Sequence, residues 1–323
     1  MCRQSFSSQR RSTKSHPLNP QSPTRRAVLH ALSFLLLGPL ASRSYSATLE
    51  LRIITSEDSP AQRQIIQALG RRYSGMRVST NVGDLLKRKG LALYLAIGPG
   101  ALRNALMAPI EAPLIALFIS RQAYAKLLLE FGKPRPIIFA QTAIYAEASP
   151  YHQMQLISHL YRRPVAVAVL LTESTSNLEP AFREAARLSN LDISFEEVAN
   201  DTNINRALLL TKASDVLLLV PDSGLYTSEN IRNLLEAAYR RSQAVIGFSA
   251  GLVAAGTLTA AYSNIDDTLD QLDELVVSAS SGRIPEPMYP KYWRVAINEH
   301  VARSLNIVVD DTARALGRRR PEK

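Results

Sequence analysis

From Leu51 onward, short apolar runs alternate with polar loops and with segments whose apolar positions recur three and four apart. That is the pattern of strands followed by amphipathic helices. Leu51 to Thr55 reads as a strand, and Ser59-Pro60 as an N-cap with proline in the first helical turn. Ile65, Ile66 and Leu69 then share one helix face until Gly70. Further strands are expected at 76–80, 91–97 and 113–119. The last two are continuously apolar, as strands covered on both faces of a parallel sheet must be. The series then restarts: Val165 to Leu171 is followed by the Thr-rich loop Thr172 to Asn177 and a helix over 178–188. Strands at 191–195, 215–220 and 244–248 match those of the first half in order. The chain is thus a duplicated architecture of α/β class, with two lobes, each a parallel sheet flanked by helices. The proline-rich segment from Lys133 to Tyr151 separates the halves. After Tyr262 come one helix (268–281), a Pro-rich turn (284–290), a strand (292–297) and a short helix (299–305).

These breaks set the expected organisation. Residues 48–143 with 250–282 make lobe 1, and residues 144–249 with 283–312 make lobe 2. A basic tail, 313–323, is expected to fray in solvent. Three hinge crossings are expected near Ile144-Tyr145, Ser249-Ala250 and Gly282-Arg283. Residues 1–46 read as a signal peptide: Arg25-Arg26, a short apolar run to Leu40, then small residues ending Ser44-Tyr45-Ser46. The run is too short to span a bilayer, and the arginine pair fits a twin-arginine leader loosely. The protein is accordingly expected in the periplasm, the leader cleaved after Ser46, with a retained anchor as the alternative.

Charge changes meaning once that segment is set aside. The net charge of +10 falls to +3 without the seven basic residues of 1–46, and Arg318, Arg319, Arg320, Glu322 and Lys323 carry a further net +3. The body is near neutral, which argues against nucleic acid as a partner. Cys2 is the sole cysteine, so the body has no disulfide and depends on its cores, which 46% hydrophobic residues can supply.

In open parallel sheets ligands bind beyond the carboxyl ends of the strands. The residues there are Ser56, Glu57, Asp58 and Ser59; Gly98, Pro99 and Gly100; Ser120; Thr172 and Ser174; Asp222; and Ser249, with Tyr145 at the hinge. Helix starts among them offer backbone N–H groups to a carboxylate, and Glu57, Asp58 and Asp222 are acceptors for an amine. Taken singly, most are also ordinary caps and turns. Gly247-Phe248-Ser249-Ala250-Gly251 fits the G-x-S-x-G nucleophile elbow, with Asp266, Asp267 and His300 following in order. A serine esterase is therefore the rival reading. Against it, His300 follows too soon and no HGGG-like oxyanion loop is present. His152 and His159 lack the i, i+4 spacing of a helical metal pair, so no metal is expected, and no fingerprint for a nucleotide cofactor occurs.

Ile144 to Pro150 with Gln153, Leu156, Ile157 and Leu160, and then Arg163 to Leu171, resembles the second-lobe opening of a known family. Asn230-Ile231-Arg232, Val245 to Ser249, Ala255 to Leu258, Ala261-Tyr262-Ser263 and Trp293 to Leu305 are similar to its later segments. The family is the tryptophan- and tyrosine-type substrate-binding proteins of bacterial ABC transporters, of the type I periplasmic binding fold. The chain departs from it at Gly98-Pro99 and at Asp222 to Leu225. The resemblance implies no catalytic centre, a monomer that closes on a small amino-acid-like ligand or other carboxylate, and an ABC permease in the inner membrane as partner. Some relatives of this kind serve as sensors or accessory proteins instead.

Overall fold

The computed structural model describes residues 49–321 except 88, 89, 135, 137, 138, 162 and 200–202. The expected signal peptide and Cys2 lie outside the described residues. Residues 47–323 form one compact unit.

Its first half runs β1 (Glu50–Ile54), α1 (Pro60–Arg72), β2 (Arg77–Ser79), α2 (Val82–Leu86), β3 (Ala92–Ile97), α3 (Gly98–Met107), β4 (Leu114–Ile119), α4 (Arg121–Phe131) and β5 (Gln141–Tyr145). The five strands make one parallel sheet in the order β2-β1-β3-β4-β5. Leu93, Leu95 and Ile97 of β3 enter one core beneath this sheet, while Tyr94 and Ala96 enter the other. That two-sided burial is why Ala92–Ile97 is apolar at every position.

The second half runs α5 (Pro150–Tyr161), β6 (Ala166–Leu171), α6 (Glu179–Leu188), β7 (Asp192–Glu197), α7 (Ile204–Leu210), β8 (Val216–Leu218), α8 (Ser228–Tyr239), β9 (Ala244–Gly247), α9 (Ala250–Ala255) and β10 (Thr259–Tyr262). It is followed by α10 (Ile265–Ser280), β11 (Arg294–Ile297), α11 (Glu299–Ser304) and α12 (Asp311–Arg314). The second sheet has the order β11-β10-β9-β8-β6-β7, parallel except for β11, which runs antiparallel to β10.

The sheets correct parts of the sequence reading. β5 lies within the stretch expected to be an extended crossing, and it completes the first sheet, so the chain leaves that lobe only after Tyr145. Ala250–Ala255 and Thr259–Tyr262 belong with the second sheet, because Thr259 and Ala260 pair with Ile246 and Gly247 of β9. Of the segment 250–282 assigned to lobe 1, only α10 packs there: Leu269, Leu272 and Leu275 share a core with Leu51, Ile53 and Leu95. The chain therefore crosses at Ser263-Asn264 and not at Ser249-Ala250. The crossing after α10 lays a short edge along β5, where the Met288 carbonyl accepts from the Tyr145 amide at 2.9 Å and the Met288 amide donates to the Ala143 carbonyl at 2.9 Å.

The basic tail does not fray within the described residues. Ala313 is buried in the second lobe's core, and the amides and carbonyls of Arg318 and Trp293 exchange two hydrogen bonds of 2.9 Å. Gly317 has φ +127°, and a Cβ there would stand 2.5 Å from the Trp293 carbonyl oxygen, so this close approach needs glycine. Beyond it Arg320 pairs with Asp273 at 2.8 Å and Asp270 at 3.5 Å on α10 of the first lobe. Arg72 of α1 meets the same two carboxylates at 3.3 and 2.7 Å. The tail is a strap from the second lobe to the first.

Candidate functional site

Each sheet reverses its winding at one place: between β1 and β3 in the first, between β6 and β8 in the second. Such switch points open a crevice at the carboxyl ends of the strands. In the first lobe the loops there carry Ser56 to Ser59 and Gly98 to Gly100. They touch closely, since a Cβ on Gly100 would fall 2.7 Å from Ser56 Oγ. In the second lobe the Thr172 hydroxyl donates to Asp222 Oδ2 at 2.6 Å across the corresponding gap.

Three of the candidate hydroxyls are taken up as caps. Ser59 Oγ accepts from the Gln62 amide at 3.2 Å at the start of α1, Ser120 Oγ from Ala123 at 3.1 Å at α4, and Ser249 Oγ from Leu252 at 3.2 Å at α9. Ser56 and Glu57 are exposed. Gly98, with φ +82°, and Pro99 open α3, whose N-cap Ile97 supplies no side-chain acceptor, so the first-turn N–H groups of Gly98 and Gly100 have no side-chain cap.

Asp222 departs from its expected role. It is buried, and its oxygens accept from Thr172 Oγ1, from Ser174 Oγ at 3.3 Å, and from the amides of Gly224 at 2.9 Å and Leu225 at 3.2 Å. Four donors already surround it, so it holds the two loops of the second lobe together and does not wait for an amine.

Ser249 has φ −152° and ψ 156°, ordinary extended backbone, where a nucleophile elbow needs a strained turn. Gly247 is required for packing: a Cβ would stand 2.8 Å from Thr257 Oγ1 and 2.9 Å from Leu252 Cβ. His300 is exposed on α11, its Nδ1 3.0 Å from the Arg303 guanidinium, and Asp267 pairs with Arg294 at 2.7 Å. Ser249, Asp267 and His300 of the rival esterase set thus each have another structural engagement.

The lobes meet through the candidate Ser174 and through Arg121, Gln122 and Asn177, which the sequence reading did not single out. Gln122 Nε2 donates to Ser174 Oγ at 2.7 Å, and Arg121 Nη1 to Asn177 Oδ1 at 3.2 Å, so the start of α4 touches the loop after β6. A bulge in β4, where Phe118 takes φ 57°, turns the chain into that helix. Beneath these contacts lies the floor of the junction. Glu147, just past β5, bridges Tyr262 at the end of β10. Its Oε1 accepts from the Arg121 amide at 2.9 Å, while its Oε2 is buried with no hydrogen-bond partner among the described residues. Burial pushes the carboxyl up to about 7. Tyr145 lies beside it, edge-on to Tyr289 at 5.2 Å and to Tyr124 at 6.0 Å. Burial also raises Tyr289, to about 12, with Arg121 close enough to oppose the shift. A single acid between Ala146 and Ala148, directly after an apolar strand, was the one sequence sign of this floor.

A hollow of about 550 Å³ lies at the opposite end of the second lobe, lined by Tyr161, Arg163, Asp215, Arg241 and Gln243 among others. It sits at the amino ends of β6 and β8, away from both switch points.

The fold defined by these two sheets is that of the type I periplasmic solute-binding proteins. Solved structures carry the comparison. An adhesive substrate-binding protein from Clostridium difficile, solved ligand-free and open, superimposes with a TM-score of 0.60 at 14% identity over 82% of this chain and 97% of that one. An ABC domain from Streptococcus pneumoniae in complex with L-Trp gives 0.55 at 14% identity, again covering 82% and 97%. A conserved domain protein from Vibrio cholerae gives 0.55 at 15% identity with the same coverage. No protein-family model matches the chain, and a search of curated proteins returns no match.

Proposed function

We propose that the chain is a periplasmic solute-binding protein that captures a small molecule between its lobes and delivers it to an ABC permease of the inner membrane. The observation that carries this reading is a contact between the lobes at the carboxyl ends of their strands, where Gln122 at the head of α4 donates to Ser174 after β6. A ligand between such loops links binding to closure, since only the closed state offers both sets of contacts. The reading has the protein act as a monomer without turnover, in keeping with the extended backbone of Ser249. Its ligand is small and amino-acid-like, and the Gly98 and Gly100 amides at the start of α3, which the N-cap side chain does not engage, suit a carboxylate. The Streptococcus structure, solved with L-Trp, makes an amino acid the first ligand to try. Native mass spectrometry of the purified protein should detect a bound small molecule, and small-angle scattering should report compaction when that molecule is added back. Compaction by no solute in a screen of amino acids, organic acids, sugars and purines would refute capture between lobes.

A further inference from the structure

We propose that Glu147, and not Asp222, is the group that receives a positively charged nitrogen of the ligand, against a wall made by Tyr145 and Tyr289. The inference deepens the capture reading above and rests on it.

Three observations converge. The first is an unfilled acceptor: Glu147 is 7% exposed and Oε2 has no partner among the described residues, whereas Oε1 is engaged by the Arg121 amide. A buried carboxylate oxygen left without a donor is costly, and a bound ammonium would remove that cost with a charge-assisted hydrogen bond. The second is placement. Glu147 sits where the ends of β5 and β10 meet, so a ligand bonded there touches both lobes. The third is the elimination of Asp222, whose two oxygens are saturated by four donors from its own lobe.

The surroundings define the rest of the ligand. Tyr145 and Tyr289 stand edge to face beside the carboxyl, which favours a planar or apolar body next to the cation. The charged and titratable groups around Glu147 are Arg121 at the head of α4, Tyr145 on β5, Tyr289 on the returning crossing and Tyr262 at the end of β10, with Glu286 acting on Tyr145. Arg121 is the positive neighbour; its guanidinium donates to Asn177 Oδ1 at 3.2 Å, engages the Tyr289 hydroxyl and only partly offsets the effect of burial on Glu147. The carboxyl therefore holds a share of its proton near neutrality, and a cation arriving at Oε2 displaces it.

The test uses the purified full-length protein and three probes with one ring system: L-tryptophan, tryptamine and indole-3-propionate, the last without the amine. Calorimetry at pH 7 in phosphate and in Tris separates proton release from binding heat. The expected result is binding of the two amines, release of roughly half a proton per site, and at least tenfold weaker binding with no proton release in Glu147→Gln. Asp222→Asn serves as the comparison, with a smaller loss for the amines. Amine binding unchanged in Glu147→Gln, or binding confined to indole-3-propionate or to a neutral sugar such as myo-inositol, overturns the assignment while leaving capture between lobes standing. A protein that compacts with none of the solutes overturns both.

Discussion

Arg320, in the last described turn of the chain, lies 2.8 Å from Asp273 of α10, and that ion pair ties the second lobe's terminal segment to the outside of the first. Because Arg72 approaches the same carboxylates from α1, two cations and two acids form a small network at the lobe boundary. Tyr73 adds a hydroxyl donated to Asp273 at 2.5 Å.

Reversing the charge at Arg320 sets a like charge against Asp270 and Asp273. Arg320→Glu should release the strap, seen as faster tryptic cleavage after Arg314 and Arg318, together with a lower Tm. Screening weakens such pairs, so the difference from wild type should shrink in 0.5 M salt. Equal cleavage rates in both proteins would show that the pair does not hold the tail.

Asp222→Ala deletes an acceptor for four buried or half-buried donors. Hydrogen bonds to charged groups are individually strong and their orphaned partners are penalised, so a loss of about 3 kcal/mol is expected in urea denaturation. Ser249→Ala removes one helix cap and should cost about 1 kcal/mol. A fluorophosphonate probe should leave Ser249 unlabelled in the wild type.

Gly317→Ala must either push the added methyl into the Trp293 carbonyl or twist the strap away from it. The same Arg320-dependent tryptic sites should then open without any change of charge, which separates backbone fit from electrostatics.

The pH dependence of stability has two opposed parts. Glu147 is raised, by burial first of all, from 4.5 to about 7. Between those values the unfolded chain has lost a proton that the folded chain keeps, so stability falls as pH rises through this window, by up to about 3 kcal/mol. His152, stacked on Trp293 at 4.5 Å, is lowered by burial and then by Arg318 from 6.5 to about 4. There the unfolded chain binds the extra proton, so stability is lost as pH falls through the same region. The wild-type profile should be nearly flat between pH 5 and 6.5. Glu147→Gln should expose the rising limb due to His152, and His152→Gln the falling limb due to Glu147. Identical profiles for wild type and both variants would refute the two assignments.

The alternation of strand and helix was legible because central parallel strands are buried on both faces, and Ala92–Ile97 and Ala166–Leu171 accordingly carry no polar residue. β5 and β10 were harder to see. Gln141–Tyr145 follows a proline-rich stretch, and Thr259–Tyr262 is only four residues, Thr-Ala-Ala-Tyr, too short for any periodicity to register. Which sheet Thr259–Tyr262 joins depends on its pairing with Ile246 and Gly247, which no local pattern encodes. The candidate loops were found because they follow strands, but their roles depend on distant partners. Asp222 looked free until Thr172, fifty residues earlier, came to lie 2.6 Å from it. Glu147 was not singled out because its burial comes from segments on both sides of the junction.

The contribution of α10 to the first lobe has a consequence for the order in which the chain can fold. Leu269, Leu272 and Leu275 complete the core around Leu51, Ile53 and Leu95, which precede them by roughly two hundred residues. The strands β6 to β10 are all upstream of α10, so the lobe encoded second can assemble most of its sheet before the lobe encoded first has its last helix. A chain ending before Ile265 would leave only α1 on one face of the first sheet, exposing apolar surface that α10 otherwise covers and inviting self-association. Neither lobe is complete until the chain has passed Tyr262: α10 closes the first core, and β11 with α11 then closes the second.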